Sequence, residues 1–100
     1  MSADLIISDE VHSNGTRRFF FVEREGKRLG EIALKQVSEK VWNIDHTQVD
    51  DVLKGQGVAR KLLDAAVAWG RSDGSKFTAT CPYAKAQFEK DEATFADVLA

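Results

Sequence analysis

Residues 51–63 carry the strongest chemical signal in this 100-residue chain, because glycines at alternate positions, Gly55 and Gly57, come just before a helical pattern. The first amides of a helix have no intrahelical partners, and the helix dipole concentrates partial positive charge there. Such a start is suited to bind an anion. Three cationic residues also surround the helix start: Lys54, Arg60 and Lys61. Cations at this end oppose the helix dipole unless an anion lies among them. The pattern predicts a phosphate or pyrophosphate site.

Composition limits the partners of this site. Fourteen basic and 16 acidic side chains give a formal charge of −2, so there is no overall basic field to attract nucleic acid or an anionic membrane. The single cysteine excludes an internal disulfide and a multi-cysteine zinc site, and no metal site is predicted. We expect one domain over residues 1–100, soluble and cytoplasmic, because no transmembrane run or signal peptide is evident.

Short β-prone segments precede the glycine loop. Residues 5–7 predict a first strand, and residues 9–15, which end in Asn14-Gly15, predict a turn. Alternating apolar residues then predict three further strands, at 17–24, 29–37 and 41–49. The fourth of these strands leads into the glycine loop.

After the loop, the apolar period becomes helical. The predicted buried stripe contains Val58, Leu62, Ala65, Ala66 and Trp69. Gly74 is a candidate C-cap, residues 76–81 predict a fifth strand, and Pro82 can open a second helix, with a last short helix at 94–99. A right-handed crossover would make strands four and five parallel. The predicted fold is α+β, with four antiparallel strands, a helix and a parallel fifth strand in one mixed sheet under one helical layer.

Two common phosphate-binding motifs do not fit. The Walker pattern fails because no Lys-Ser or Lys-Thr pair follows, and the dinucleotide fingerprint lacks its third glycine and its early parallel unit. The remaining pattern, Lys54-x-x-Gly57-x-Ala59 after a strand, resembles the GNAT superfamily of N-acetyltransferases. Their pyrophosphate loop is Gln/Arg-x-x-Gly-x-Gly/Ala, placed between the fourth strand and the following helix. Lys54 departs from the usual first residue but keeps a positive charge.

The resemblance is most specific to short GNAT-like proteins and covers residues 19–99. It is carried by residues 44–49, 54–59 and 81–83, together with Phe88-Glu89. Such proteins keep the acyl-CoA half of the fold and lack the helices that help form the acceptor site, where this chain has only residues 9–15. The chain departs at residues 90–95, which replace the family's His-Pro-Glu-Tyr.

The resemblance implies acetyl-CoA as the bound cofactor. The amides from Gln56 to Arg60 would hold its pyrophosphate, and the backbone of Val49 would pair with the pantetheine arm. The implied binding residues are Val49, Lys54, Gly55, Gln56, Gly57, Val58, Ala59 and Arg60. Each cationic side chain has the alternative of being a solvated surface charge.

The catalytic groups are less defined. The position at which larger relatives place a tyrosine acid is Phe88 here, and Tyr83 is expected to be a partly buried tyrosine with a satisfied hydroxyl. His46 is the candidate base, because histidine titrates near neutrality, or else a structural histidine on a sheet face. Regular alternation would point Asp45 to the opposite face from His46.

Cys81 is the other candidate catalytic residue, since the resemblance puts it near the thioester. A thiolate there would be favoured by the following helix start and could accept an acyl group. The alternative is that Cys81 is a small buried hydrophobe, as free cysteines commonly are.

Three functions follow. The first is an acetyl-CoA-binding N-acetyltransferase-like protein that transfers acetyl directly to an unidentified amine, with a partner protein as a candidate to complete the acceptor site. The second is a non-catalytic acyl-CoA binding or sensing module, suggested by the missing tyrosine acid and acceptor-site helices. The third is a plain interaction module whose glycines only turn the chain.

Overall fold

A computed structural model describes residues 6–100, so the predicted strand at residues 5–7 lies partly outside the described residues. The main elements in chain order are β1 (Ile7–His12), β2 (Arg17–Arg24), β3 (Lys27–Ser38), β4 (Val41–Val49), α1 (Val58–Asp73), β5 (Lys76–Ala79), α2 (Pro82–Lys90) and α3 (Glu92–Phe95). The sheet order is β1-β2-β3-β4-β5, antiparallel up to β4, with β5 parallel to β4. The predicted fold class and strand order are confirmed.

β1 is longer and more polar than predicted. It extends to His12, so the prediction of a turn over residues 9–15 is wrong for its first four residues. Ion pairs to neighbouring strands hold this edge strand: Arg18 bonds Asp9, and Arg28 bonds Glu10 at 2.9 Å. Such cross-strand pairs stabilise a strand that has no apolar alternation. The chain reverses at residues 13–15, where Asn14 is left-handed.

The core lies between the sheet and α1. Its centre is formed by side chains that are 0 % exposed: Ile32, Leu34, Ile44, Leu62 and Leu63. The buried side of α1 is broader than the predicted stripe, because the helix also packs against the C-terminal segment. It consists of Val58, Leu62, Leu63, Ala66, Val67 and Gly70, whereas Ala65 and Trp69 are only half-buried.

A bulge in β4 changes the predicted direction of one side chain. Leu34 pairs with Ile44 and Ala33 pairs with His46, so Asp45 is an extra residue. Asp45 bonds Arg17 at 2.9 Å on the sheet face away from α1, which is also the face of His46. The prediction that Asp45 and His46 point to opposite faces is therefore wrong, because a bulge interrupts the alternation of a strand.

The end of the chain covers the outer edge of β5. Leu99 forms a parallel bridge with Phe77, and the amide of Ala100 donates to the Phe77 carbonyl at 2.9 Å. The last helix predicted at residues 94–99 is instead α3 followed by a 3-10 turn, Ala96–Val98. No helix in residues 6–100 is long and apolar enough to cross a membrane.

Candidate functional site

β4 and β5 part at Ile44. Their register ends at the pair Ile44 and Ala79, so β5 is shorter than predicted. The carbonyl of Ile44 then accepts both the Thr80 amide, at 3.1 Å, and the Cys81 amide, at 3.0 Å. The chain next enters α2 at Pro82, the first residue of that helix. Within residues 6–100, the second half of β4 therefore has no strand beside it on this side.

The exposed edge of β4 offers backbone hydrogen-bonding groups. The amide of Asp50 donates to the Leu29 carbonyl of β3 at 2.7 Å. Because peptide groups alternate in direction along a strand, Gln48 also faces β3, while Thr47 and Val49 face the edge that β5 leaves. Val49, which the resemblance assigns to the pantetheine arm, thus presents its amide and carbonyl to this opening.

The glycine loop follows a 3-10 turn, Asp51–Leu53. Asp50 caps this turn by accepting the Val52 amide at 3.0 Å. Gly55 and Gly57 then have φ values of 79° and 70°, in the left-handed region that other L-residues adopt only with strain. A Cβ at either glycine would meet nothing within 4 Å. The two glycines are therefore required by the path of the chain rather than by close packing.

Gly57 is the N-cap of α1 and provides no side-chain cap. The first backbone bond of the helix runs from the Lys61 amide to the Gly57 carbonyl, at 3.1 Å. The three preceding amides have no acceptor in the part of the chain that the structure describes: Val58, Ala59 and Arg60. These donors lie at the positive end of the helix dipole, where the sequence pattern predicts an anion site.

A cavity of about 280 Å³ joins the helix start to the exposed edge of β4. Its walls are Val49, Leu53, Lys54, Gly55, Gly57, Val58, Ala59, Arg60 and Tyr83. All of the binding residues proposed from the sequence except Gln56 therefore line one cavity. Gln56 lies beside it, with its side-chain amide donating to the Val52 carbonyl at 3.4 Å.

The cationic side chains differ in their availability. Lys54 is exposed and pairs with Asp51 at 3.2 Å. Arg60 turns its guanidinium away from the loop and over the ring of Phe95, at 5.0 Å from the centroid. That guanidinium binds three side chains at 2.7–3.0 Å: Asp64, Gln87 and Asp91. Arg60 thus offers its amide to the cavity, while its side chain ties α1 to α2.

The ion pair of Arg60 with Asp91 shifts the pKa of both groups. Hydrogen bonds from Arg60 and, secondly, from Thr94 hold the pKa of Asp91 below its usual value. The same contact, reinforced by Asp64, raises the pKa of Arg60. The charge of Arg60 is therefore balanced within this cluster.

Tyr83 is a wall of the cavity that the sequence pattern did not single out as a site residue. Its side chain is half-buried, and this burial raises the pKa of the phenol. Contrary to expectation, the Tyr83 hydroxyl has no hydrogen-bond partner among residues 6–100. Its position in the sequence could have indicated a site residue, because Tyr83 follows the proline that starts a helix where β4 and β5 separate. Phe88 is buried and packs edge-on against Phe95, so it contributes no acid.

His46 and Cys81 lie on opposite sides of β4. His46 is exposed on the face away from α1, and its Nε2 is 3.3 Å from Oε1 of Gln48. Cys81 is 5 % exposed, and its thiol donates to the Thr47 hydroxyl at 3.3 Å. Thr47 pairs with Ile32 and so faces the core side. The two candidate catalytic residues therefore do not form a cysteine–histidine pair.

The parallel strand opening, the left-handed glycine at the helix start and the cavity between them define the fold of an acyl-CoA N-acyltransferase. The family described as GCN5-related N-acetyl-transferase matches residues 18–98. The chain belongs to this GNAT family. A search of curated protein sequences gives no match.

Solved structures agree with this assignment. The chain is 37% identical to a GCN5-like candidate N-acetyltransferase from Staphylococcus aureus, with a TM-score of 0.73 over 99% of this chain and 91% of that one. Two larger structures share the fold over 75% of this chain. They are a ribosomal-protein-alanine N-acetyltransferase from Brucella melitensis (16% identity, TM-score 0.61, 62% of its length) and an IAA acetyltransferase from Bacillus cereus (21%, 0.59, 53%).

Proposed function

We propose that the chain binds acetyl-CoA in the opening between β4 and β5 and transfers its acetyl group directly to an amine. The observation that carries this proposal is the continuity of one cavity from the amides of Val58, Ala59 and Arg60 to the exposed edge at Val49. A helix start binds phosphate, and an exposed strand edge pairs with an extended amide-bearing arm.

The residues of this cavity fit the coenzyme. No aspartate or glutamate of residues 6–100 is among its walls, while Lys54 and Arg60 are. The absence of a Cβ at Gly57 leaves the backbone open to phosphate oxygens. A pyrophosphate would therefore meet amide donors and the exposed ammonium of Lys54, with no carboxylate among the walls.

When bound, acetyl-CoA supplies an acetyl group activated as a thioester. Transfer to an amine requires a neutral nitrogen and a proton acceptor, and His46 is proposed as that acceptor. The mouth of the opening at Ile44 is two residues away along β4, and Gln48 contacts the imidazole of His46. Tyr83, whose raised pKa keeps the phenol protonated, can donate a hydrogen bond into the cavity.

Direct transfer is preferred to a route through Cys81. That thiol is buried and is engaged with Thr47, which limits its access to an acyl group. A covalent route would form a bond between the acetyl carbon and the Cys81 sulfur and break the thioester bond to the coenzyme sulfur, with the Cys81 proton passing to the departing coenzyme thiolate. Intact mass after exposure to acetyl-CoA tests this. We expect no acetyl adduct, and an adduct that disappears in Cys81→Ala would contradict direct transfer.

Thermal unfolding with acetyl-CoA tests the binding step. A ligand at a hundred times its dissociation constant should add about 2.7 kcal/mol to the free energy of unfolding. An unchanged melting temperature at millimolar acetyl-CoA would contradict the proposal.

Turnover tests the chemical step. Incubation with acetyl-CoA and a panel of amines should release free coenzyme A thiol, and His46→Ala should slow that release. Undiminished turnover in His46→Ala would remove this residue from the mechanism. Binding without turnover on any amine would favour the acyl-CoA binding module instead.

A further inference from the structure

The cavity that joins the helix start to the edge of β4 has walls from two helices. Val58, Ala59 and Arg60 belong to the first turn of α1, and Tyr83 belongs to the first turn of α2. The separation of these two helix starts therefore sets the width of the cavity. Binding groups must be held within about 0.5 Å of their productive positions by neighbouring contacts.

The glycine loop itself does little to fix the first turn of α1. Its N-cap, Gly57, has no side-chain cap, and a Cβ at either Gly55 or Gly57 would meet nothing within 4 Å. Val58 packs in the core, and Arg60 is the only polar side chain in residues 58–60. The hydrogen bonds of the Arg60 side chain are therefore the polar side-chain contacts that orient this turn.

The Arg60 guanidinium joins the first turn of α1 to the end of α2, outside the cavity. Its Nη1 donates to Oε1 of Gln87 at 3.0 Å, and its Nη2 donates to Oδ2 of Asp91 at 2.7 Å. The other oxygen of Asp91 accepts from the Thr94 hydroxyl at 2.9 Å. Neither Gln87 nor Asp91 is a wall of the cavity. The contact thus holds the helix start from behind, without occupying the site.

Gln87 connects this contact to the opposite wall. It lies one turn after Tyr83 on α2, so the two side chains are on the same face of the helix. The Arg60 guanidinium also lies over the ring of Phe95, 5.0 Å from its centroid, and Phe95 is 1 % exposed. The contact between the two walls therefore rests on a buried side chain.

We propose that Arg60 and Asp91 are positioning residues for the coenzyme, because their contact keeps the first amides of α1 at a fixed distance from Tyr83. The inference rests on the proposed function, since it assigns a role to a contact behind the acetyl-CoA cavity. The side chain of Arg60 acts through its own backbone and is not a ligand of the phosphates. Asp91 acts through Arg60.

Charge and position predict opposite effects for one substitution. Asp91→Asn removes a negative charge near an anion site, so electrostatics alone predicts unchanged or tighter binding of acetyl-CoA. Positioning predicts weaker binding, because the released guanidinium no longer holds the turn.

The chain offers a matched control at the other end of α1. Arg71, in the last turn of the helix, pairs with Asp97 of the C-terminal segment at 2.8 Å. It lies about 16 Å farther along the helix than Arg60. Asp97→Asn therefore removes the same charge and the same kind of ion pair, far from the amide donors.

The experiment measures acetyl-CoA affinity of the full chain by calorimetry, at a temperature at which the variants are folded. Asp91→Asn should weaken binding about fivefold, and Asp97→Asn should bind as the wild type does. In an Arg60→Leu background, Asp91→Asn should have no further effect on affinity, because it acts through the guanidinium. Gln87→Ala removes a neighbouring contact of Arg60 without a charge change and should also weaken binding, so the test does not depend on one variant.

Turnover gives a second measurement. Asp91→Asn should raise KM for acetyl-CoA without changing kcat or the KM of the amine, the pattern expected when only binding is lost.

Equal weakening in Asp91→Asn and Asp97→Asn would indicate a general effect of stability and would overturn the positioning role. Tighter binding in Asp91→Asn would also overturn it, because a released Arg60 would then be a phosphate ligand itself. Absence of binding by the wild type at millimolar acetyl-CoA contradicts the proposed function. Binding by the wild type with unchanged affinity in Asp91→Asn removes only the positioning role.

Discussion

The amide of Cys81 donates to the carbonyl of Ile44 at 3.0 Å, and this bond marks the point at which β5 leaves β4. The Thr80 amide donates to the same carbonyl, so the hydrogen bonds between β4 and β5 end at the Ile44 oxygen. Beyond it, Val49 faces the opening and the helix start follows. The opening is thus formed by the backbone, and its proposed ligand groups are mostly amides.

A methyl group added at Gly57 should distinguish an effect on acetyl-CoA binding from an effect on protein stability. Gly57→Ala and Gly15→Ala both place a Cβ on a residue with positive φ and open surroundings, so each should lose about 1–2 kcal/mol of unfolding free energy. Only Gly57→Ala should also weaken acetyl-CoA binding, by about tenfold, because only its new methyl enters the cavity. Equal affinities in the two variants, measured by calorimetry, would count against the site.

Gly70 allows α1 to pack closely on β5. A Cβ at this position would clash with the ring of Phe77 at Cε2. Gly70→Ala should therefore destabilise the protein by about 1–3 kcal/mol in denaturant unfolding, the range for overpacked cores. Phe77→Leu in the same chain should recover part of that loss relative to the sum of the single variants. Strict additivity would show that the two residues do not clash.

The Arg60–Asp91 pair should make stability depend on pH. The pKa of Asp91 is lowered from 3.8 by Arg60 and then Thr94, so its stabilising contribution is present above pH 3.8 and is lost as pH falls through the lowered value. Denaturant midpoints of wild type and Asp91→Asn should therefore converge as pH falls below 3.8. Arg60→Leu should also come closer to wild type over this range, but a difference should remain because its contacts with Gln87 and Phe95 do not titrate there. A constant difference over this range would contradict the assignment.

Tyr83 can be followed alone, because the chain has a single tyrosine. Burial raises the pKa of its phenol, so alkaline titration of phenolate absorbance should have its midpoint above 10.0 in the folded protein. In denaturant the midpoint should return to about 10. Because the folded state favours the neutral phenol, stability from this group should fall as pH rises between the two midpoints. Identical midpoints would place Tyr83 in solvent.

Most of the fold followed from local patterns in the sequence. The apolar alternation of residues 17–24 correctly predicted β2, and Gly74 correctly marked the left-handed end of α1. The misassigned part of β1 depends on ion pairs to neighbouring strands, which no local pattern contains. The direction of Asp45 depends on a bulge, which is set by the pairing with β3.

The candidate site also has one part that was predictable from the sequence and one part that was not. The backbone part, from Gly55 to Arg60, is local in sequence and was therefore predictable from glycine spacing. The contacts of its side chains connect distant segments: Arg60 reaches Asp91, Cys81 reaches Thr47, and Tyr83 reaches the loop. A further cavity, of about 150 Å³ beside Gly30, depends on a bulge in β3 and was not visible in the sequence.

The most direct test of the central claim is an amide chemical-shift map of the protein with acetyl-CoA. The account predicts that the largest changes fall on the exposed edge of β4 and the start of α1, at Thr47, Val49 and residues 57–60. Saturable changes there, weakened in Gly57→Ala and retained in Gly15→Ala, are the expected result. No change at millimolar acetyl-CoA, or changes confined to other parts of the sheet, would contradict it.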